Sequence, residues 1–343
     1  MSSGELAVAG LGIVAPGVSG PEDALAPAAP APPGWFRTEV ALPGRGYRRL
    51  PDASKYLLAA SRLAVGDAGG RFAETPREHR GAVVAINNTG AALLEELDRT
   101  IVDKGAEELP PSSTPFGAMS SFAGRLSMEH DITGFNLTVN SPLTAGLDAI
   151  QTAVRAVAAG RARTVLVGAV EEALSPSQSS PSQSSSAQSS SAQSPANGLQ
   201  AGAVVLHCEP PGEGEARYGT CRARGTFLDP AAAASDAAAV LAALVGDDPP
   251  DRIDAVLDDS AVGTAAARWL DRLTGEHGVA VVIVPSTAQA GCLVPLQRVL
   301  GLFAQEHTAP VRRGVLAASD QGTVAFAELT VAPRGAAAKG KEN

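Results

Sequence analysis

Apolar positions fall into two rhythms, short continuous runs and segments with a three-to-four-residue spacing, and these alternate along most of the chain. Leu6–Val14 predicts a buried strand that ends in glycine-rich turns. Residues 15–50 are rich in Pro and Ala without a steady period and read as loop. A helix follows, capped by Asp52 or Ser54, with Tyr56, Leu57, Ala60, Leu63 and Ala64 on its face and Gly69-Gly70 at its end. Gly81–Ile86 predicts a second strand, and the turn Asn87-Asn88-Thr89-Gly90 leads into a helix over Ala91–Val102. Residues 105–127 read as mostly irregular.

A strand over Asn136–Val139 then breaks at Asn140-Ser141-Pro142, and a helix starts with Leu147, Ile150, Val154 and Val157 on one face. Strands Thr164–Val170 and Ala203–Cys208 close this series. A second series repeats the pattern: strand Arg217–Phe227, helix Ala231–Val245, strand Ile253–Leu257, helix Val262–Leu273, strand Val279–Val284 and helix Ala288–Gln305. Gly314–Ala318 and Thr323–Val331 are the closing strands. Two such series predict a duplicated α/β unit with parallel strands buried by helices on both faces. The halves fall at 1–210 and 211–335, with a flexible tail at 336–343.

Ser175–Ser194 interrupts the first half as four five-residue repeats, SPSQS SPSQS SSAQS SSAQS. It has no apolar side chains to bury, so ordering it costs entropy without return, and it reads as a disordered insertion at a surface loop. A protein-binding tether is the alternative reading.

The junction at residues 136–157 organises the chain. A strand, a tight turn and a helix N-terminus form the place where an α/β protein puts a nucleophile, because unpaired N–H groups and the helix dipole stabilise an anion there. At its tip stand Pro142 and Leu143, which cannot act as nucleophiles.

Composition narrows the function classes. Hydrophobic residues are 45% and charged residues 18% of the 343, a globular balance. The net charge of −9 argues against nucleic acid as a partner. No apolar run approaches the roughly 18 residues of a membrane span, and the N-terminus lacks the pattern of a signal peptide. Cys208, Cys221 and Cys292 are scattered without pair or metal spacing, which fits a reducing cytoplasm. No metal or cofactor is implied.

The blocks VAGLGIVAPG (8–17), GAVVAINNTG (81–90), SSFAGRLSMEHDITGFNLTV (120–139), TAGLDAI (144–150) and GRARTVLVGAVEE (160–172) resemble, in this order and spacing, a β-ketoacyl synthase of the thiolase superfamily. The likeness continues more weakly through AGAVVLHCE (201–209), RIDAVLDD (252–259) and TAQAGCLVPLQ (287–297). It implies a thiolase-like duplicated αβαβα layered fold with two central mixed sheets.

The resemblance also locates the family's chemistry. Its condensing cysteine falls on Leu143, its first histidine on about Asp259 and its second on about Pro285, while its lysine has no counterpart between residues 275 and 338. None of these side chains can form the thioester or polarise its carbonyl. Of the five histidines none lies near either motif, and His277 and His307 sit beside polar helix ends and read as solvated. This combination resembles a chain-length factor, the inactive partner of an active ketosynthase subunit in type II polyketide synthases. There the nucleophile is commonly replaced by glutamine; here it is leucine, and the chain is shorter than the usual member.

The implied role is architectural. The strand at Asn136–Val139 pairs with its counterpart across a pseudo-twofold axis in a heterodimer with the ketosynthase subunit, and an acyl carrier protein works on the complex. Asn136, Thr138 and Asn140 are then interface candidates. Helix Ala91–Val102 resembles the element lining the growing-chain tunnel, with Leu93, Leu94 and Leu97 as depth-limiting candidates; ordinary core packing is the competing reading for each. A different class of function, an acyltransferase with Ser141 as nucleophile, lacks a visible base, and capping is the plainer role for that serine. Asp258-Asp259 read as a solvated loop and not as a catalytic pair, because adjacent residues on a strand end point to opposite faces. Asn87-Asn88 either bond across a dimer interface or simply form their turn.

Overall fold

The computed structural model describes residues 4–27, 31–32, 34–111, 114–172, 201–212, 216–286 and 291–334. The Ser/Gln repeat at 175–194 and the tail at 336–343 lie outside the described residues. The main elements of the first half are β1 (Leu6–Val14), α1 (Asp52–Asp67), β2 (Arg80–Ile86), α2 (Ala91–Lys104), α3 (Ser120–Glu129), β3 (Asn136–Asn140), α4 (Ala145–Ala158), β4 (Thr164–Glu171) and β5 (Gly202–Glu209). Those of the second are β6 (Gly219–Phe227), α5 (Ala233–Val245), β7 (Arg252–Leu257), α6 (Ala261–His277), β8 (Ala280–Pro285), α7 (Leu293–Ala304), β9 (Val311–Ala318) and β10 (Thr323–Val331).

The strands follow the order β3-β2-β4-β5-β1 and then, mirrored, β6-β10-β9-β7-β8. In the first set β2 runs parallel to β3 and β4, while β5 is antiparallel to β4 and β1. The second repeats this, with β7 parallel to β8 and β9, and β10 antiparallel to β9 and β6. The two expected mixed sheets are therefore present and share one seam. Leu6–Val8 of β1 pairs with Gly219–Cys221 of β6, which joins them into ten strands.

Three apolar clusters give the layers. Helices α1 and α3 cover the outer face of the first sheet, α4 and α7 lie between the two sheets, and α5 and α6 cover the outer face of the second. The glycines of β1 set the closest of these contacts. A Cβ on Gly10 or Gly12 would meet the carbonyl oxygen of Ala64 or Ala60 on α1 at 2.1 or 2.0 Å, so only glycine lets the helix backbone come so near.

Several local expectations change. Neither Asp52 nor Ser54 caps α1: Pro51 holds the N-cap position, Asp52 pairs with Lys55, and Ser54 is buried. Leu63, expected on the buried face, is 53% exposed, while Leu58 and Ser61 take its place inside. Helix α3 occupies much of what reads as irregular; Phe122, Ala123 and Leu126 bury against β2 and β3, so tertiary packing stabilises a segment whose own apolar period is weak. The loop at 15–50 contains short helical turns at Pro21–Asp23 and Thr38–Ala41. Its first part is fastened to α7, where Gln297 and Arg298 donate to the carbonyls of Ala24 and Leu25. Cys208 on β5 and Cys221 on β6 flank β1 as buried free thiols.

Candidate functional site

The ends of β2, β3 and β4 meet at one edge of the central helical layer, the position where α/β sheets present ligands. β3 stops at Asn140, α4 begins at Ala145, and Leu143 between them has φ 60. That left-handed conformation costs a non-glycine residue about 1–2 kcal/mol. It is held because the side chain is 3% exposed, in the same core cluster as Cys292, Leu293 and Leu296 at the start of α7. Gly146 brings the helices together: a Cβ there would lie 2.7 Å from the Cys292 carbonyl oxygen. The elbow backbone is thus retained around a buried apolar side chain.

Ser141 does not cap the helix through its hydroxyl. It lies beside the Asp148 carboxylate in the first turn, which accepts from Thr144 Oγ1 at 2.9 Å. Burial raises the Asp148 pKa, and the neighbouring Thr144 and Ser141 hydroxyls oppose the rise.

Two carboxylates at the end of β4 knit the surroundings together. Glu171 is fully buried and accepts the backbone N–H of Asn88 at 3.0 Å and of Cys292 at 2.8 Å. Burial pushes its pKa up to about 7, against the pull of those N–H groups. Glu172 accepts the N–H groups of Ala53 and Gly90 at 3.1 Å each, at the starts of α1 and α2, and burial raises it as well. Each carboxylate therefore serves two unsatisfied chain ends. The Asn88 backbone is thus tied to the end of β4. The double glutamate closing the apolar run of β4 was the available sequence signal for these groups; their partners are too remote in sequence to be read from it.

Helix α2 is peripheral. None of its residues is buried, and it packs chiefly on the short turns at 106–108 and 114–117. Leu93 and Leu97 are half-buried and Leu94 is 43% exposed, so none is a core residue. Leu93 lines a cavity of about 410 Å³ with Leu50, Tyr56, Phe116, Glu96 and Glu172.

Among the described residues, β3 is the terminal strand of its sheet, paired on one side only. The Asn136 amide turns back onto α3, donating to Ala123 O and Ser127 Oγ. Asn140 Nδ2 meets Met119 Sδ, and the Thr138 hydroxyl is buried without a partner among the described residues. Leu137, Met119 and Met128 are exposed near this edge.

Asp259 and Pro285 lie at the ends of the neighbouring strands β7 and β8, both exposed. Asp258, expected in solvent, is buried, and its Oδ1 accepts the Ser260 N–H. His207 and His130 bond Thr164 and Ser61 near the opposite end of the first sheet, with Phe72 edge-on to both rings. His307 is only half-buried overall, but its Nε2 is enclosed without a partner among the described residues, contrary to a solvated role. Among the described residues, no cluster of His, Cys, Asp or Glu is placed to hold a metal ion, and no helix is long and apolar enough to cross a membrane.

Residues 40–206 match the model of the beta-ketoacyl synthase, N-terminal domain. The chain is 28% identical over 129 residues to 3-oxoacyl-(acyl-carrier-protein) synthase 2 of Vibrio harveyi, covering 38% of this chain and 31% of that protein. It is 30% identical over 136 residues to a putative polyketide beta-ketoacyl synthase 1 of Streptomyces virginiae, covering 38% and 32%. The match thus spans about a third of these relatives' length. The fold extends further. The ishigamide ketosynthase/chain length factor superposes with a TM-score of 0.69 at 21% identity, over 96% of this chain and 100% of that one. A type II acyl-carrier protein in complex with its ketosynthase, AntDE:AntF, gives 0.68 at 14% identity over 95% and 99%.

Proposed function

We propose that this chain, whose residues 40–206 are of the beta-ketoacyl synthase type and whose fold is thiolase-like, is the non-catalytic partner of an active ketosynthase subunit in a cytoplasmic type II polyketide system. The observation that carries this reading is Leu143: the strained elbow is kept, yet its tip is a buried leucine without a lone pair for acyl transfer. Asp259 and Pro285, at the ends of β7 and β8, cannot supply the polarising imidazoles of a condensing enzyme. The unpaired edge of β3 suits addition of a partner's strand, with Leu137 and the two methionines beside it as apolar contacts. Helix α2 and the cavity behind Leu93 would then border the tunnel in which an acyl-carrier-bound chain grows by malonyl units.

The test is co-purification with a ketosynthase subunit, followed by product analysis with acyl carrier protein and malonyl thioester. A stable one-to-one complex that elongates chains, while the isolated chain takes up no acyl group, supports the reading. A second reading has one observation in its favour, the placement of Ser141 beside the part-buried Asp148 carboxylate. In that case the chain is an acyltransferase, Asp148 is the base, and Ser141→Ala abolishes acylation of the isolated chain.

A further inference from the structure

A groove of about 740 Å³ opens beside the end of β1. Val14, Val18, Trp35, Phe36 and Val40 form its walls and Arg37 stands among them. The aromatic wall is rigid: Trp35 and Phe36 each pack 5.0 Å from the Tyr56 ring on α1, and Tyr56 is itself buried. Val40 remains 66% exposed although it belongs to this apolar surface. Among the described residues, the Arg37 guanidinium has no carboxylate within ion-pair distance.

This combination selects its ligand. The volume is that of a small-molecule site, apolar walls reward a hydrocarbon body, and a single unpaired cation at the wall favours one anionic head. The cavity behind Leu93 has the opposite character, with Asp52, Glu96 and Glu172 against Arg49. We propose that the groove binds an anionic amphiphile of the fatty-acid class, its tail along Trp35 and Phe36 and its carboxylate on Arg37.

Trp35 is one of only two tryptophans, and the other, Trp269, is buried in α6, so the groove has a built-in reporter. The experiment is titration of the full chain with dodecanoate, followed by Trp35 fluorescence and by calorimetry. Dodecyl phosphate, dodecanol and dodecyltrimethylammonium serve as comparison ligands. Saturable binding of dodecanoate is expected, with roughly five- to tenfold weaker binding to Arg37→Glu. Val40→Glu, at an exposed position that tolerates charge, should weaken it similarly while leaving the unfolding transition in place. Equal affinity for dodecanoate and the cationic amphiphile overturns the proposal. So do absence of saturable binding, indifference to both substitutions, and preference for the phosphate head by more than tenfold.

Discussion

Glu171 on β4 accepts the backbone N–H of Cys292 at 2.8 Å, across 121 positions of sequence. The two residues belong to different halves, and the bond ties the end of the first sheet to the start of α7, directly under the elbow. A buried carboxyl holding two N–H groups here is both a clamp and a titrating group.

Its titration has a definite sign. Glu171 ionises near 4.5 in the unfolded chain and at about 7 in the folded one, so the folded state keeps a proton that the unfolded state has released. Its contribution is fully present below pH 4.5 and is lost as pH rises through 7, by on the order of 3 kcal/mol. Glu171→Gln should flatten this slope in denaturant midpoints measured from pH 5 to 8. An unchanged slope would mean that Glu171 ionises normally.

His130 and His207 act in the opposite direction. Burial lowers their pKa values to about 4 and about 3, so on acidification the unfolded chain protonates first and stability falls from pH 6.5 downward. The raised carboxyls of Glu171, Glu172 and Asp148 act against these histidines, so each contribution is read from its own variant. Melting curves of His130→Gln should show a shallower acid limb.

Leu143 combines strain with burial. Leu143→Ala keeps the unfavourable φ and removes buried carbons, and should cost about 2–5 kcal/mol by urea unfolding. Leu143→Gly leaves a larger cavity but releases the left-handed strain, so its cost should not exceed that of alanine by more than about 1 kcal/mol. A far larger glycine penalty would show that the elbow is unstrained.

Asp254 is fully buried on β7 between Arg252 and Arg298. Arg298→Met leaves that carboxylate with one partner and releases the Leu25 carbonyl, at an expected cost of about 3–5 kcal/mol. The double variant Asp254→Leu/Arg298→Met should recover much of this, because removing both charges removes the desolvation penalty.

Within the proposed complex, the leucines of α2 should not be equivalent. Leu93 lines the 410 Å³ cavity, whereas Leu94 is exposed and faces the turn at Gly117. Leu93→Ala should lengthen the product more than Leu94→Ala or Leu97→Ala, read by mass spectrometry of the released chains. Identical products from all three would remove α2 from the tunnel wall.

By itself the sequence determined the elements whose burial is written in a local period. β1 and β10 have the predicted ends, and the break at Asn140-Ser141-Pro142 marked the elbow, because runs of apolar residues and turn formers act over a few positions. The repeated succession of strands and helices was likewise legible as two similar series, whereas the strand order and the antiparallel pairings of β5 and β10 were not. Tertiary structure alone decided what depends on distant backbone. It turned Leu63 outward, made a helix of Ser120–Glu129 and placed Cys292 on Glu171. It also gave Leu143 its left-handed backbone, a conformation no leucine prefers, which the packing of α4 against α7 imposes.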